Sequence, residues 1–486
     1  MFTQYSKFLT EEQRQMVHEA SMEVLENTGL LVKAECAREI FKEHGCVVND
    51  DGRVKIPHQV IEKYIKMFPS SYTFTAQDPE FDITIPEQGP CVVTASSAPF
   101  VIDPKTREHR RATSDDIANI ARLINQLPGF NVFSISTLAD DAPDGDLSLY
   151  RFYAALKNCK KPVRSNTPRF SELQKVLELG YTIAGSKEAY MERPFINHHY
   201  CPVIDPLEMD VESTETVTWL AKEGLPVYTT APVSNAGMTT PMSRMGTLVL
   251  GNAEFLAINC YYQMIRNGMP IIYAYLPTVA DLRTGAYTPG AIETGMLSMA
   301  HTEMAEFYNV PSGGYIGLTN SHCNDAQNGY EVAFNTTGAV CAGASLLNMG
   351  GLLDSLTTFD FAKAVIDNEV AMSLKSMKQG IPYDKDDFEE SMKLIDKIGP
   401  GGLYMEEMHT MMNMKNIAYL TNLGSRDFRT QWDGRDLEAR CYDWLKNNMQ
   451  GKNPAAFTAE IDERVRKQFP GLCKGDAVWP EYEWEK

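Results

Sequence analysis

A proline stands just before a short, extended run at five places in the middle of the chain. These prolines are Pro162, Pro194, Pro226, Pro270 and Pro311, and the intervals between them are 32, 32, 44 and 41 residues. Proline at the first residue of a strand removes no hydrogen bond from the sheet. Most intervals also contain a helix-like segment, such as SELQKVLELGYTIAG at 171–185. A strand, a helix and a return about every 30 to 45 residues predicts βα units with parallel strands.

Three further runs bring the number of predicted strands to about eight: NVFSIST near residue 131 and the apolar runs around Leu346 and Leu352. Eight βα units close into a (β/α)8 barrel, for which about 250 residues is typical. An open doubly wound sheet is the alternative. No GxGxxG motif follows a predicted strand and no GxxxxGK[ST] motif occurs, which favours the barrel. We therefore predict an α/β chain, a (β/α)8 TIM barrel with an N-terminal α/β cap and C-terminal helices.

The segments on either side of the predicted barrel have residue patterns that differ from those of the barrel. Residues 1–115 are predicted to form the cap: a helix begins after a capping box of Thr10 and Gln13, and short β-branched runs between Pro69 and Pro104 predict antiparallel hairpins. Residues 116–360 are predicted to form the barrel. Residues 361–486 are predicted to form a helical extension that packs on it, with glycine clusters between its helices.

Charge and cysteine usage exclude several classes of partner. The 486 residues carry a formal charge of −19, which repels nucleic acid and anionic lipid surfaces. No run approaches the roughly 18 apolar residues of a membrane span, and the polar N-terminus lacks the apolar core of a secretion signal. Ten scattered cysteines form no CxxC pair, which is typical of free thiols in a reducing compartment. We expect a soluble cytoplasmic protein.

The carboxyl ends of the predicted strands supply the candidate site, because barrel enzymes place their active sites there. No HExxH or GxSxG motif occurs, and the five strand ends after the prolines contain no lysine, which disfavours common zinc, serine and Schiff-base chemistries. We predict no metal, although a zinc site assembled from separate strands stays open as an alternative. The strand ends are instead rich in tyrosine: Tyr200, Tyr275 and Tyr315, with Tyr287 nearby. Aromatic faces of this kind suit a quaternary ammonium, although packing is the ordinary role of strand tyrosines.

Several longer stretches resemble a known family. They include SSAPFVIDPKTREHRRATSDDIANIARL at 96–123, APVSNAGMTTPMSRMGTLVLGNAEFLA at 231–257, TVADLRTGAYTPGAIETGML at 278–297, SHCNDAQNGYE at 321–331 and GPGGLYMEEMHT at 399–410. Together they resemble the trimethylamine methyltransferase superfamily, in particular its branch without pyrrolysine, whose members demethylate glycine betaine and related quaternary amines. The trimethylamine members of the family carry pyrrolysine at a position that falls at or next to His322 in this chain. This chain has a standard amino acid there instead. This departure points away from trimethylamine and toward a substrate that is already charged.

The resemblance implies a reaction and a set of roles. A methyl group would pass from a betaine-type quaternary amine to the Co(I) of a corrinoid that a cognate partner protein carries, with no tightly bound cofactor of the chain's own, no general acid and a homo-oligomeric assembly. The predicted pocket wall is Tyr200, Tyr275, Tyr315 and Phe359, with Phe100 closing it from the cap. A substrate carboxylate would bind to His199 or His322, or to Arg283 as a charged alternative. Asn320 and Asp325 would order the loop at the former pyrrolysine position.

Three alternatives stay open. The substrate could be a tertiary methylamine, with a histidine assisting protonation. The chain could bind betaine without catalysis, or it could be a zinc-dependent methyltransferase.

Overall fold

A computed structural model of the chain describes residues 7–417 and 419–479. Its strands, numbered in chain order, are β1 (Leu30–Val32), β2 (Val47–Val48), β3 (Arg53–Lys55), β4 (Tyr72–Phe74), β5 (Ile83–Ile85), β6 (Cys91–Val93), β7 (Phe100–Ile102), β8 (His109–Arg111), β9 (Phe133–Ser134), β10 (Val163–Ser165), β11 (Ile196–Tyr200), β12 (Val203–Ile204), β13 (Glu208–Met209), β14 (Val227–Ala236), β15 (Tyr273–Val279), β16 (Ser312–Gly314), β17 (Leu346–Asn348), β18 (Leu352–Leu353) and β19 (Thr358–Phe359).

The α-helices, numbered in the same way, are α1 (Glu11–Glu23), α2 (Glu35–Glu43), α3 (His58–Ile65), α4 (Ser114–Gln126), α5 (Leu147–Asn158), α6 (Phe170–Ala184), α7 (Lys187–Glu192), α8 (Glu212–Glu223), α9 (Arg244–Ile265), α10 (Ile292–Phe307), α11 (Ala326–Ala342), α12 (Phe361–Lys378), α13 (Lys385–Ile398), α14 (Met408–Ile417), α15 (Leu437–Asn448) and α16 (Ala459–Gln468). Among the helices of the described residues, none is both long and apolar enough to cross a membrane.

Eight parallel strands form the barrel, as predicted. Their order around the sheet is β6-β17-β16-β15-β14-β11-β10-β9, and every neighbouring pair is parallel. A parallel bridge between Val93 and Val132 joins the two ends of this sheet, and a second one, between Ala98 and Thr137, joins the segments that follow them. The helices between successive strands cover the outside, which is the (β/α)8 arrangement.

The five prolines mark barrel strands, as predicted. Pro162, Pro226 and Pro311 directly precede β10, β14 and β16, while Pro194 and Pro270 precede β11 and β15 by two or three residues. Each of these prolines therefore lies outside the parallel strand pairing, where the lack of a backbone N–H removes no hydrogen bond from the sheet.

One barrel strand differs from the prediction. The run around Leu352 lies outside the barrel, because β18 pairs antiparallel with β19. The missing strand is Cys91–Val93, which lies within the segment 1–115 predicted to be the cap and pairs in parallel with β17. All three of its residues are buried, as expected for a strand covered on both faces rather than for a hairpin strand with one wet face. Of the predicted hairpin region, β4 and β5 do form an antiparallel hairpin, and β7 pairs antiparallel with β8.

The β4–β5 hairpin closes the amino-terminal end of the barrel. The rings of Tyr72 and Phe74 lie 5.2 and 5.8 Å from the ring of Tyr228, whose side chain belongs to the apolar cluster inside the barrel. The amide of Asn197 on β11 holds the residue that follows β4, since Thr75 N donates to Asn197 Oδ1 at 3.1 Å and Asn197 Nδ2 donates to Thr75 O at 2.8 Å. A ligand therefore has to enter from the opposite end.

The flanking segments pack on the barrel from outside. Thr10 and Gln13 form the predicted capping box of α1, and α1 packs on α9. A second sheet, β18-β19-β7-β8, lies beside the carboxyl ends of the barrel strands. The C-terminal segment is helical as predicted, and its Trp479 packs edge-on against Phe361 of α12 at 5.2 Å.

Candidate active site

Strand alternation decides which predicted residues face the inside of the barrel. Successive side chains of a strand point to opposite faces. On β11, Asn197 reaches the β4–β5 hairpin, which we call the plug hairpin, at the inside of the barrel, so His199 also points inward. The ring of His199 lies 4.8 Å from the ring of Tyr228. His199 Nε2 shares a hydrogen bond with the Thr230 hydroxyl of β14. His199 is therefore a lining residue near the carboxyl end of the barrel.

His199 is held in its neutral form. Burial lowers its pKa well below 6.5, and the positive charge of Arg164 lowers it further. His199 is buried, with 9% of the residue exposed, and His198, the next residue, is fully buried with its pKa lowered to about 4 by burial. A neutral imidazole at this position can accept or donate a hydrogen bond, but it carries no charge near pH 7.

Two tyrosines lie at the carboxyl ends of β15 and β16. Tyr315 follows β16 directly, and its hydroxyl lies 3.3 Å from the Ser96 hydroxyl in the loop after β6. Tyr287, in the loop after β15, has a buried hydroxyl without a hydrogen-bond partner in the described part of the chain. Burial raises the pKa of Tyr287, and the neighbouring Tyr315 raises it further. Both residues are partly exposed, and we call the region that Ser96, His199, Tyr287 and Tyr315 line the barrel mouth.

The inside of the barrel also contains an arginine that the sequence reasoning missed. Arg164 of β10 is fully buried, and its Nη1 donates a hydrogen bond to the Tyr228 hydroxyl. The signal available in the sequence was a charged residue in the middle of the predicted strand PVRSN, where a barrel strand ordinarily carries apolar side chains.

Tyr200 and Tyr275 lie on the outer face of the barrel. The Tyr200 hydroxyl accepts a hydrogen bond from Thr167 N at 3.1 Å. Tyr275 donates to Thr247 O of α9 at 3.4 Å, and its ring lies 3.5 Å from the ring of His301 of α10. These two rings fill the layer between strands and helices, so the structure does not bring them together with Tyr315 at the barrel mouth.

Arg283 and His322 lie in solvent. Their side chains are 89% and 86% exposed. Arg283 forms an ion pair with Asp281, its neighbour in the loop, and His322 pairs with Asp354 in the loop between β18 and β19. Neither side chain reaches the barrel mouth in this arrangement.

Asn320 and Asp325 organise the loop between β16 and α11. The Asn320 amide donates to Tyr287 O at 2.9 Å and to Ser355 Oγ at 2.8 Å, so it joins three loops at the rim of the barrel. Asp325 is the N-cap of α11, where its carboxylate accepts from Asn328 N at 3.0 Å. The hydrogen bond from Asn320 therefore fixes the backbone at Tyr287 to the loop after β16.

Phe100 and Phe359 belong to the sheet beside the barrel mouth. Phe100 is partly exposed and its ring lies 4.5 Å from His109, with the Arg111 guanidinium 4.7 Å from the ring centre. Phe359 is fully buried against Phe361 at 5.4 Å. Phe100 is thus a partly exposed residue of this sheet, while Phe359 is part of the core.

The loop after β6 is held by a second buried arginine. Arg151 of α5 donates to the hydroxyls of Ser97 and Ser165, each at 3.0 Å, and to Thr137 O at 3.2 Å. Burial lowers the pKa of Arg151 to about 10. This network fixes the backbone next to Ser96, the hydroxyl partner of Tyr315.

The barrel mouth thus combines two phenol rings, hydroxyl groups and a neutral imidazole. No group of three or more His, Cys, Asp or Glu side chains with metal-binding geometry occurs in the described ranges. Fold and site define a (β/α)8 barrel protein whose candidate site lies at the carboxyl ends of its strands, where barrel enzymes place their active sites.

Comparison with known proteins assigns the family. A family model described as trimethylamine methyltransferase (MTTB) matches residues 2–469, so the chain belongs to this methyltransferase family. It is 29% identical over 463 residues to a glycine betaine methyltransferase of Desulfitobacterium hafniense, covering 94% of this chain and 95% of that protein. It is 27% identical over 461 residues to the trimethylamine methyltransferase MttB of the same species, covering 94% and 92%.

Two further similar proteins match a smaller share of this chain, and one of them has a lower sequence identity. The trimethylamine methyltransferase MttB of Methanosarcina thermophila is 29% identical over 408 residues, covering 82% of each chain. Among solved structures, a dihydropteroate synthase from Thermus thermophilus in complex with 6HMPPP matches with a TM-score of 0.36 and 12% identity, over 64% of this chain and all of that one. The barrel assignment depends on the strand order alone.

Proposed function

We propose that the chain removes a methyl group from a betaine-type quaternary amine and transfers it to the Co(I) of a corrinoid carried by a separate protein. The observation that supports this proposal is the neutral, aromatic character of the barrel mouth. Tyr287 and Tyr315 offer ring faces, and the only histidine that lines the mouth among the described residues is neutral. Ring faces attract a cation that cannot donate a hydrogen bond.

The reaction needs no proton donor. The nitrogen of a quaternary amine is already cationic, so the C–N bond breaks with its electron pair staying on nitrogen and the product leaves as a neutral tertiary amine. The new bond uses the electron pair of Co(I), which becomes methyl-Co(III). A neutral His199 is compatible with this balance, because no group at the barrel mouth has to give up a proton.

The role of the chain in this reaction is to bind and orient the substrate. An electron-rich nucleophile meets a cation, so charge is neutralised as the reaction proceeds, and a site that excludes water favours this step. Holding the methyl carbon in line with the incoming cobalt can contribute about 7 to 11 kcal/mol through orientation. The partner protein would approach the barrel mouth, because the plug hairpin of β4 and β5 closes the other end.

The name of the Desulfitobacterium hafniense glycine betaine methyltransferase supports a quaternary substrate, whereas the trimethylamine methyltransferases support a tertiary one. A tertiary methylamine is therefore the second candidate. It would need a proton on nitrogen before the methyl group could leave, and His199 would then have to supply it despite its lowered pKa.

A spectroscopic assay tests the proposal. The enzyme is mixed with a Co(I) corrinoid protein and presented separately with glycine betaine, proline betaine, carnitine, trimethylamine and dimethylglycine, and methyl-Co(III) formation is followed. We expect methyl transfer from at least one quaternary amine and none from the two tertiary amines. Transfer from a tertiary amine alone would establish the second candidate, and binding without any transfer would indicate a betaine-binding protein.

A further inference from the structure

Residues 381–417 form a helical arm whose polar contacts are internal. The arm consists of α13, a glycine-rich turn and α14. Lys397 of α13 pairs with Glu407 at 2.9 Å. His409 of α14 pairs with Asp387 of α13 at 3.1 Å, so the two helices are held to each other. Within the described ranges, every ion pair and side-chain hydrogen bond of the arm joins two arm residues. The barrel therefore does not hold the arm by polar contacts.

The arm exposes apolar side chains along both of its helices. α13, which lies wholly within the described residues, has no buried residue. Its residues Phe388, Met392 and Ile395 share one face at the spacing i, i+4, i+7, and each is about half exposed. The turn and α14 add six strongly exposed residues: Leu403, Met405, Met408, Met411, Met412 and Ile417. A surface helix ordinarily turns its apolar face to a core, so this face is suited to a partner.

The length and the exposed area of the arm indicate that it needs such a partner. Helices shorter than about 12 to 15 residues are marginal in isolation, and α13 and α14 have 14 and 10 residues. The exposed apolar side chains of the arm amount to on the order of 1,000 Å², against a few hundred Å² for the largest patch on a typical monomer. A standard interface buries about 800 Å² on each partner. The arm thus has the area of a stable protein interface.

The arm leaves the barrel at the end opposite to the mouth. α12 begins at Phe361, beside the sheet at the mouth, and Lys378 at its other end donates to Gly89 O, two residues before β6. The arm starts three residues further on. The chain returns at the middle of α12, where the Thr421 hydroxyl donates to Glu369 at 2.6 Å. A protein that docks at the mouth therefore approaches from the other end of the barrel.

An apolar groove lies beside the base of the arm. Its volume is about 500 Å³, and its lining includes Val370, Leu374 and Met377 of α12 and Ala333 of α11. Tyr419 also lines it. Met377 and Tyr419 flank the arm in the sequence, so the groove and the arm form one continuous apolar surface.

We propose that this surface joins two copies of the chain, and that the arm of each copy packs its apolar side against the groove and the arm of the other copy. A two-fold interface uses the same patch on both copies, so that patch has to be complementary to itself. A protruding apolar arm next to an apolar groove meets this requirement. The inference goes beyond methyl transfer and does not depend on the substrate.

The charge of the arm disfavours a lipid surface as its partner. Residues 384–417 contain eight acidic and four basic residues. Helices that lie on anionic membranes ordinarily carry Lys and Arg on their polar face. A second copy of the chain, by contrast, offers an apolar face of matching area and requires no basic surface.

The test measures the mass of the assembly. Sedimentation velocity compares the wild-type protein with Met392→Glu on α13 and Met411→Glu on α14, at about 0.15 M salt, which screens the repulsion between acidic copies. Both methionines are exposed in the single copy, so its fold should tolerate the changes. Met16→Glu on α1 is the matched control, because Met16 is 55% exposed and Met392 is 51% exposed. Circular dichroism melting curves show whether each variant is folded.

We expect the wild-type protein and Met16→Glu to sediment as an assembly of at least twice 54.4 kDa. Each arm variant should raise the dissociation constant of the assembly about hundredfold or more, because an unpaired carboxylate would be buried at an apolar interface. A wild-type monomer would overturn the inference, and so would folded arm variants that assemble as the wild-type protein does.

Should the arm variants not fold, a cryo-electron microscopy structure of the wild-type assembly decides the question. Arms buried between copies support the inference, and arms left exposed overturn it.

Two further measurements cover the other partners. A monomeric protein that floats with phosphatidylglycerol-containing vesicles, and no longer does so as Met392→Glu, would assign the surface to lipid and overturn the inference. Arm variants that lose binding to the corrinoid protein while keeping the wild-type mass would assign the surface to that protein, with the same consequence. None of these measurements reads methyl transfer, so a failure of the proposed function is distinguished from a failure of this inference.

Discussion

Tyr315 contributes a ring and a hydroxyl to the barrel mouth, and substitution can separate the two contributions. Its ring is the proposed contact for the ammonium group, while its hydroxyl lies 3.3 Å from the Ser96 hydroxyl. We expect Tyr315→Leu to raise KM for a quaternary amine about tenfold, because a cation–π contact contributes roughly 1 to 2 kcal/mol in a dry site. Tyr315→Phe should change KM much less, since the ring remains. Steady-state methyl-transfer kinetics measure both variants.

Tyr275→Phe is the matched control for this pair. Tyr275 is buried between β15 and the helices, so the loss of its hydroxyl should leave KM unchanged. If Tyr315→Phe were as damaging as Tyr315→Leu, the hydroxyl rather than the ring would be the important group, and the aromatic contact would be wrong.

At the scale of single residues the sequence predicted positions better than orientations. The strand ends that carry His199, Tyr200, Tyr275 and Tyr315 were located by the proline pattern, but only strand register tells inward from outward side chains. Parallel barrel strands are buried on both faces, so polarity along the strand carries little information about the face. Tyr287 lies in a long loop whose path depends on contacts such as that with Asn320, which no local pattern reveals.

Between β12 and α9 the structure contains a pair of buried acids. The carboxyl groups of Asp205, in the loop between β12 and β13, and Glu254 of α9 lie close enough for each to shift the pKa of the other. Glu254 is 1% exposed and accepts from Leu207 N at 2.8 Å, and Asp205 accepts from the Thr239 hydroxyl at 2.6 Å. Burial raises the pKa of Asp205, and burial together with the charge of Asp205 raises the pKa of Glu254 well above 4.5. The pair therefore shares a proton near neutral pH.

This shared proton makes stability depend on pH. The folded protein retains a proton that the unfolded chain releases above its pKa of about 4.5, so the free energy of unfolding falls as pH rises from there toward the raised pKa of the pair. One such proton changes the free energy of unfolding by about 1.4 kcal/mol per pH unit. We expect Glu254→Gln, which keeps a donor toward Asp205, to be stabilised relative to wild type at pH 8 and to show a smaller fall between pH 5 and pH 8.

Denaturant unfolding at several pH values measures this effect. Glu389→Gln on α13 is the control, because the Glu389 side chain is 54% exposed and its substitution should leave the pH dependence unchanged. An identical pH dependence in the wild-type protein and Glu254→Gln would contradict the shared proton.

At the scale of elements, short strands were the hardest to predict. The run Cys91–Val93 is only three residues long and lies next to a genuine hairpin, so its neighbours suggested antiparallel pairing. Its parallel partner, β17, lies more than 250 residues away, and pairing over such a distance leaves no local signal. The capping box at Thr10 and Gln13, by contrast, is a local pattern and was predicted in full.

For the whole molecule, the position of β6 means that cap and barrel are not separable at residue 115. A fragment 116–486 lacks one of the eight barrel strands as well as the β4–β5 plug, so we expect it to lose cooperative thermal unfolding. A fragment 69–486 keeps both and should unfold cooperatively, with lower stability than the full chain because α1 and α3 no longer cover α9. Circular dichroism melting curves compare the two. Equal cooperativity of the two fragments would show that β6 is dispensable.

Assembly remains a prediction at this scale. The homo-oligomer that the family resemblance implies would give a solution mass that is a multiple of 54.4 kDa in light scattering. A monomer would contradict it without affecting the proposed chemistry.

In the proposed reaction a quaternary C–N bond breaks and its methyl group moves intact to cobalt. The most direct measurement uses glycine betaine labelled with ¹³C in its N-methyl groups, mixed with the enzyme and a Co(I) corrinoid, and followed by NMR. We predict that labelled methyl-Co(III) and dimethylglycine form in equal amounts. Unchanged glycine betaine, in an assay where labelled trimethylamine does methylate the corrinoid, would show that the substrate is a tertiary rather than a quaternary amine.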